Sequence, residues 1–109
     1  MEGLELSCFK LISDAGSSRS SSIEAIHEAK KGTFEKAEQL MKEGKNHYLA
    51  AHNTHNDMLK QGTDGEGLGS SVLIMHAEDQ LMSAEMFQIL AKEFLDTYRE
   101  LLDLRKKIN

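Results

Sequence analysis

Two residues in one apolar stretch carry the strongest chemical signal in this sequence. His76 and Asp79 stand three positions apart in Val72-Leu-Ile-Met-His-Ala-Glu-Asp-Gln-Leu-Met82, so a helix through the segment points both side chains the same way. An imidazole titrates near neutrality, ligates metals and can act as a nucleophile. A carboxylate in a buried stripe is costly unless it is paired or bound to a cation. Three chemistries are open on these residues. A His/Asp metal site is one, although the paired Glu-x-x-His motifs of di-iron bundles are missing. General acid and base work is a second, with no nucleophile pairing to serve it. The third is covalent: one ring nitrogen accepts a phosphoryl group while the other is held by a hydrogen bond. Beside all three stands the plain reading of a hydrogen-bonded core histidine.

The elements that must carry these residues read as helices. The chain has 109 residues, no proline, no tryptophan, and four Phe and two Tyr as its aromatics. Leu, Ala, Met, Glu and Lys dominate the long segments, which favours an all-α domain over a twisted sheet, and the length suits a single domain over residues 1–109. Residues 3–31 carry a seam Leu4, Cys8, Leu11, Ala15, Ser18, Ser22, Ala25, Ala29 at alternating steps of four and three. The serines of Ser17-Ser-Arg-Ser-Ser-Ser22 stay on that seam, so the helix is expected to continue through them with a thin waist. Residues 33–61 repeat the pattern with Phe34, Ala37, Met41, Gly44, Tyr48, Ala51, His55 and Met58. Residues 70–108 give Leu73, Ala77, Gln80, Ala84, Phe87, Ala91 and Phe94, continuing through Tyr98, Leu101, Arg105 and Ile108, with Ile74, Leu81, Leu95 and Leu102 flanking. A third stripe, Val72, His76, Asp79, Ser83, Met86 and Leu90, holds the two chemical residues.

Glycine punctuates the helices. Gly32 suits a helix end and Thr33 a cap, and the glycine-rich stretch from Gln61 to Gly69 ends at Ser70, a second candidate cap. That stretch lacks the Gly-Lys-Ser/Thr ending of a phosphate loop. Short turns imply an antiparallel up-down-up three-helix bundle. Helices of this length reach roughly 40 to 55 Å, and so wide an apolar surface on the third helix calls for burial against other copies of the chain. If the second hairpin is symmetric about Gly65 and Glu66, His55 lies level with His76 and His52 level with Asp79. Cys8 and Phe9 come to that height across the first turn. Arg19 falls roughly 15 Å farther along, a poor candidate for contact with His76 of its own chain.

Composition narrows the rest. Thirteen basic against eighteen acidic residues give a formal charge of −5, and no basic run with interleaved aromatics appears, which argues against nucleic acid. No stretch approaches the roughly 20 apolar residues of a membrane span, and the amino terminus lacks a signal-peptide pattern, so a cytoplasmic protein is expected. Cys8 is the sole cysteine. It can make no intrachain disulfide, and on the apolar seam it reads as a buried small residue.

Taken in order and spacing, certain residues resemble a known family along essentially the whole chain. They are Ala15-Gly16 with Arg19-Ser20, Gly32-Thr33-Phe34 with Ala37, Ala51-His52, and above all His76-Ala-Glu-Asp-Gln-Leu-Met82. The last is similar to the His-Ala-Gln-Asp-His-Leu-Met signature of the lactose/cellobiose-type enzyme IIA components of the bacterial sugar phosphotransferase system. The resemblance implies a homotrimeric helical barrel with active sites in grooves between subunits. It implies that His76 is phosphorylated by the phosphocarrier protein HPr and passes the group to a cysteine of the sugar-specific IIB component. It further implies that Asp79 meets its symmetry mates on the threefold axis around a divalent cation, with magnesium the expected ion. The sequence departs from the pattern at Gln80, where the signature has its second histidine, and at Glu78, where it has glutamine. His55-Asn56 stands where Gln-Thr commonly follows the Ala-His of the second helix. The competing readings are a non-catalytic helical oligomer with a structural or metal-binding histidine cluster, and a family member kept for regulation. The identity of the sugar is not expected to be written in this chain.

Overall fold

A computed structural model describes residues 3–62 and 72–108. Among the described residues there are three helices and no strand: α1 (Gly3–Lys31), α2 (Phe34–Gly62) and α3 (Val72–Ile108). The candidate cap at Ser70 lies outside the described residues.

The small-residue seam of α1 does what its period predicts. Cys8, Leu11, Ala15, Ser18, Ser22, Ala25 and Ala29 are all buried, and the helix runs unbroken through the serines. On α2 the seam positions Ala37, Gly44, Ala51 and Met58 are buried as well. The core forms two apolar clusters. One gathers Cys8, Leu11, Ala15, Ala51, Met58, Ile74, Ala77, Leu81 and Ala84; the other gathers Ala25, Ala29, Ala37 and Leu95. Between them lies a polar waist, where Ser18 Oγ donates to the Gly44 carbonyl at 2.7 Å. This close approach favours glycine, since a Cβ on Gly44 would sit a tight 3.3 Å from the Ser18 carbonyl oxygen.

The first turn is a Schellman ending. Gly32 adopts φ +87°, its N–H donates to the Ala29 carbonyl at 3.0 Å, and the Thr33 N–H donates to the Glu28 carbonyl at 3.0 Å. Thr33 then begins α2, its carbonyl accepting from the Ala37 N–H at 3.0 Å. Its hydroxyl does not cap α2 but turns back to the Glu28 carbonyl and carboxylate, at 3.1 and 3.0 Å. With Lys31 donating at 3.2 Å to the same carboxylate, these bonds hold Glu28 below the usual carboxylate range. At this end Arg99 lies 4.5 Å over the Phe34 ring and donates to Glu38 at 3.0 Å, tying α3 to the start of α2.

Contacts fix the directions as up, down, up. Lys10 meets Thr54 and Ser18 meets Gly44 across α1 and α2, while His55 meets Glu78 and Tyr48 meets Glu85 across α2 and α3. The bundle measures 64 × 18 × 18 Å, and α1 packs along both other helices, which touch each other least.

On α3 the burial differs from the expected seam. The inward residues are Ile74, Ala77, Leu81, Ala84, Ala91 and Leu95, so the stripe read as flanking supplies much of the core. Phe94 and Leu101 are exposed instead. The reason is that α3 is apolar nearly all round, and two partner helices cover only one side of it.

Candidate functional site

His76 and Asp79 sit in the first turns of α3, at the end of the bundle where the apolar cluster around Leu11 and Met58 packs. Both are exposed, so His76 is not the hydrogen-bonded core histidine of the plain reading. Val72, Met75, Met82, Met86 and Leu90 surround Asp79 on a face turned away from α1 and α2, with Val72 and Met82 exposed at 76% and 68%. Asp79 is thus a single carboxylate in the middle of an outward apolar strip. Among the described residues no hydrogen bond or ion pair holds either the His76 ring or the Asp79 carboxylate.

The neighbouring polar residues are engaged. His55 Nε2 and Glu78 Oε2 lie 2.9 Å apart, with the His55 side chain mostly buried. Across α3, Arg19 Nη1 donates to Gln80 Oε1. Two of the positions that depart from the family pattern, His55 of the second helix and Glu78 of the signature, therefore pair with each other, and a third, Gln80, holds the arginine of α1. Asn56 donates to His52 Nδ1 at 3.4 Å, and the His52 ring lies 5.8 Å from that of Tyr48. Burial, together with the hydrogen bond to Glu85, pushes the Tyr48 hydroxyl up.

His55 pairs with Glu78, two residues, or about 3 Å of rise, along α3 from the His76 that the hairpin symmetry set level with it. His52 faces Tyr48 and Asn56, not Asp79. The three histidines share an end of the bundle but not a side, and among the described residues no group of three or more His, Cys, Asp or Glu could hold a metal ion. One Asp79 cannot by itself satisfy a hard divalent cation, which takes about six oxygen ligands. Cys8 is buried and free, and burial, then Glu5 and Glu78, push its thiol up, so it offers no ready thiolate.

Sequence reading missed the bond between Arg19 and Gln80. A signal for it existed: Gln80 is one turn beyond His76, and both Arg and Gln are long enough to close a gap that backbone heights alone leave open.

No helix among the described residues is long and apolar enough to cross a membrane. A family model described as "PTS system, Lactose/Cellobiose specific IIA subunit" matches residues 6–99, a span that contains His76 and Asp79. The lactose-specific EIIA component of Staphylococcus aureus is 34% identical over 98 residues, 90% of this chain and 95% of that protein. The oligo-beta-mannoside-specific EIIA component of Bacillus subtilis is 36% identical over 91 residues, 84% of this chain and 83% of that protein. Among solved structures, the cellobiose-specific enzyme IIA of Bacillus anthracis superposes with a TM-score of 0.89 at 35% identity, covering 94% of each chain.

Proposed function

The chain belongs to the lactose/cellobiose-specific IIA family of the sugar phosphotransferase system, and from that membership we propose that His76 is its phosphoryl carrier. The observation that supports this most directly is the exposed His76 ring, which no group among the described residues engages. A carrier must meet a donor and an acceptor protein in turn at the same atom, and a ring sealed in a core could meet neither.

In the proposed reaction a ring nitrogen of His76 attacks the phosphorus of phospho-HPr. The new N–P bond forms as the donor's N–P bond breaks, and the bonding pair stays on the donor imidazole. One proton leaves the other nitrogen of His76 and one joins the departing ring. In the second step a thiolate of the IIB component attacks the same phosphorus, an S–P bond replaces the N–P bond, and His76 regains its proton. Catalysis of such a loose transfer is chiefly positioning and charge stabilisation.

We propose further that three copies assemble along the α3 strip of Val72, Met75, Met82, Met86 and Leu90, as an apolar surface of that extent invites. The three Asp79 carboxylates would then share one divalent cation, with magnesium the expected ion; when bound it offsets their mutual repulsion. His76, about 60° around the helix axis from Asp79, would lie at the edge of the subunit contact. The protein would work in the cytoplasm, serving the uptake of a disaccharide or related β-glycoside whose identity resides in the membrane component.

The test is phosphoryl relay with purified parts. Label from phosphoenolpyruvate, enzyme I and HPr should reach this chain and then a IIB component, and His76→Gln should block both steps. Label reaching IIB through the His76→Gln variant at the wild-type rate would refute the assignment.

A further inference from the structure

At Gln80, one helical turn along α3 from His76, lies a cleft of about 610 Å³ whose lining includes Ser13, Gly16, Ser17, Arg19, His47 and Gln80. Among the described residues no carboxylate lines it, in a chain whose formal charge is −5. Its polar groups are hydroxyls, an amide, an imidazole and one guanidinium. A Cβ built on Gly16 would meet nothing within 4 Å, so the α1 side of the cleft is open.

The geometry points to Arg19 as the group that takes the phosphoryl oxygens when His76 is phosphorylated, a role that rests on the carrier function proposed for His76. Gln80 follows His76 by one helical turn. Side chains of a helix lean toward its N-terminus, so the Gln80 amide, and the guanidinium docked on it, lie over the turn that carries His76. Gln80 accepts one N–H of Arg19 and leaves the other donors of the fork for a second ligand. Because that partner is a neutral amide, the positive charge of Arg19 is not cancelled. Arg99 differs, being paired with the Glu38 carboxylate.

A planar fork with free donors matches the oxygens of a phosphoryl group. Arg19 would contact the three oxygens as the N–P bond forms, when their charge is most spread, and would hold the group against premature loss to water. Gln80 is then a positioning residue that keeps the fork in place. Its amide oxygen accepts without carrying charge, so it aims the guanidinium without competing with the phosphoryl group for it.

The experiment compares wild type, Arg19→Lys, Arg19→Met and Gln80→Leu, each checked for helicity and thermal unfolding. It measures the rate of phosphoryl transfer from phospho-HPr and the spontaneous hydrolysis of the phosphorylated chain. Arg19→Met is expected to slow transfer by roughly 10²–10³-fold, Arg19→Lys to restore part of the rate, and Gln80→Leu to fall between wild type and Arg19→Met. The Arg19 Nε–Hε resonance should shift when the wild-type chain is phosphorylated and should shift less with inorganic phosphate alone, which separates the covalent group from a free anion. A wild type that takes up phosphate while folded Arg19→Met matches its transfer and hydrolysis rates overturns the role of Arg19 alone. A wild type that takes no phosphoryl group on His76 overturns the carrier reading and this role with it.

Discussion

His55 Nε2 and Glu78 Oε2 meet at 2.9 Å between α2 and α3, joining two positions at which this chain differs from the family pattern it resembles. A glutamine at both sites could still form an amide pair across the same helices, whereas a histidine facing glutamine or a glutamine facing glutamate changes the pairing. Each single variant, His55→Gln or Glu78→Gln, is therefore expected to cost about 0.5–1.5 kcal/mol, and the double variant to cost less than the sum. Urea unfolding of all four proteins gives the coupling. Strict additivity would mean that the pair is incidental.

Gly16 and Gly44 predict opposite outcomes for the same substitution. At Gly16 a Cβ meets nothing within 4 Å, so Gly16→Ala should stabilise the chain by about 0.5–1 kcal/mol through helix propensity. At Gly44 the added carbon lies 3.3 Å from the Ser18 carbonyl oxygen and 3.4 Å from Ser21 Cβ, and the Ser18 hydrogen bond would be strained. Overpacking of this kind costs about 1–3 kcal/mol, enough to outweigh the propensity gain. Thermal unfolding should move up for the first variant and down for the second; a rise for both would show that the waist is loose.

Cys8 gives a pH dependence with a definite sign. Burial holds its thiol above the ordinary value of 9.0, so the folded state binds the proton more tightly than the unfolded one. Its contribution to stability is complete below the unfolded value and declines as the pH rises through it. Cys8→Ala should thus flatten the loss of stability on the alkaline side of pH 9, as read from urea midpoints. In the native wild type a thiol-reactive disulfide reagent should react slowly, and promptly once the chain is unfolded. Fast labelling of the folded protein would contradict the buried placement.

Asp79 separates a role in ion binding from a role in packing. Asp79→Leu adds an apolar side chain to an already apolar strip, so helicity should be unchanged and the assembly no weaker, while a bound divalent cation is lost. Sedimentation with metal analysis reads both. A wild type that stays monomeric at micromolar concentration would refute the trimer, and a metal content unchanged in Asp79→Leu would place the ion elsewhere.

Much of the fold was legible because small residues recur at helical spacing on α1 and α2, where polar residues cover the remaining faces. The period on α3 did not select its inward face, because Leu73, Ile74, Met75, Leu81 and Met82 place apolar groups on several sides and only packing against α1 and α2 chooses among them. His76 and Asp79 were legible as a pair, while the period alone left open whether their stripe faces α1 and α2 or turns away from them, which depends on how little of α3 two short neighbours can cover. The contacts of Arg19 with Gln80 and of His55 with Glu78 escaped a ladder of backbone heights, since long side chains span a turn or more and a ladder ignores them.

The most direct measurement of the central claim is intact mass after incubation with phosphoenolpyruvate, enzyme I and HPr. The expected result is the gain of one phosphoryl group per chain, lost on acid treatment and absent from His76→Gln. A wild-type chain that gains no mass under conditions that phosphorylate HPr, or a His76→Gln variant that gains the same acid-labile group, would contradict it.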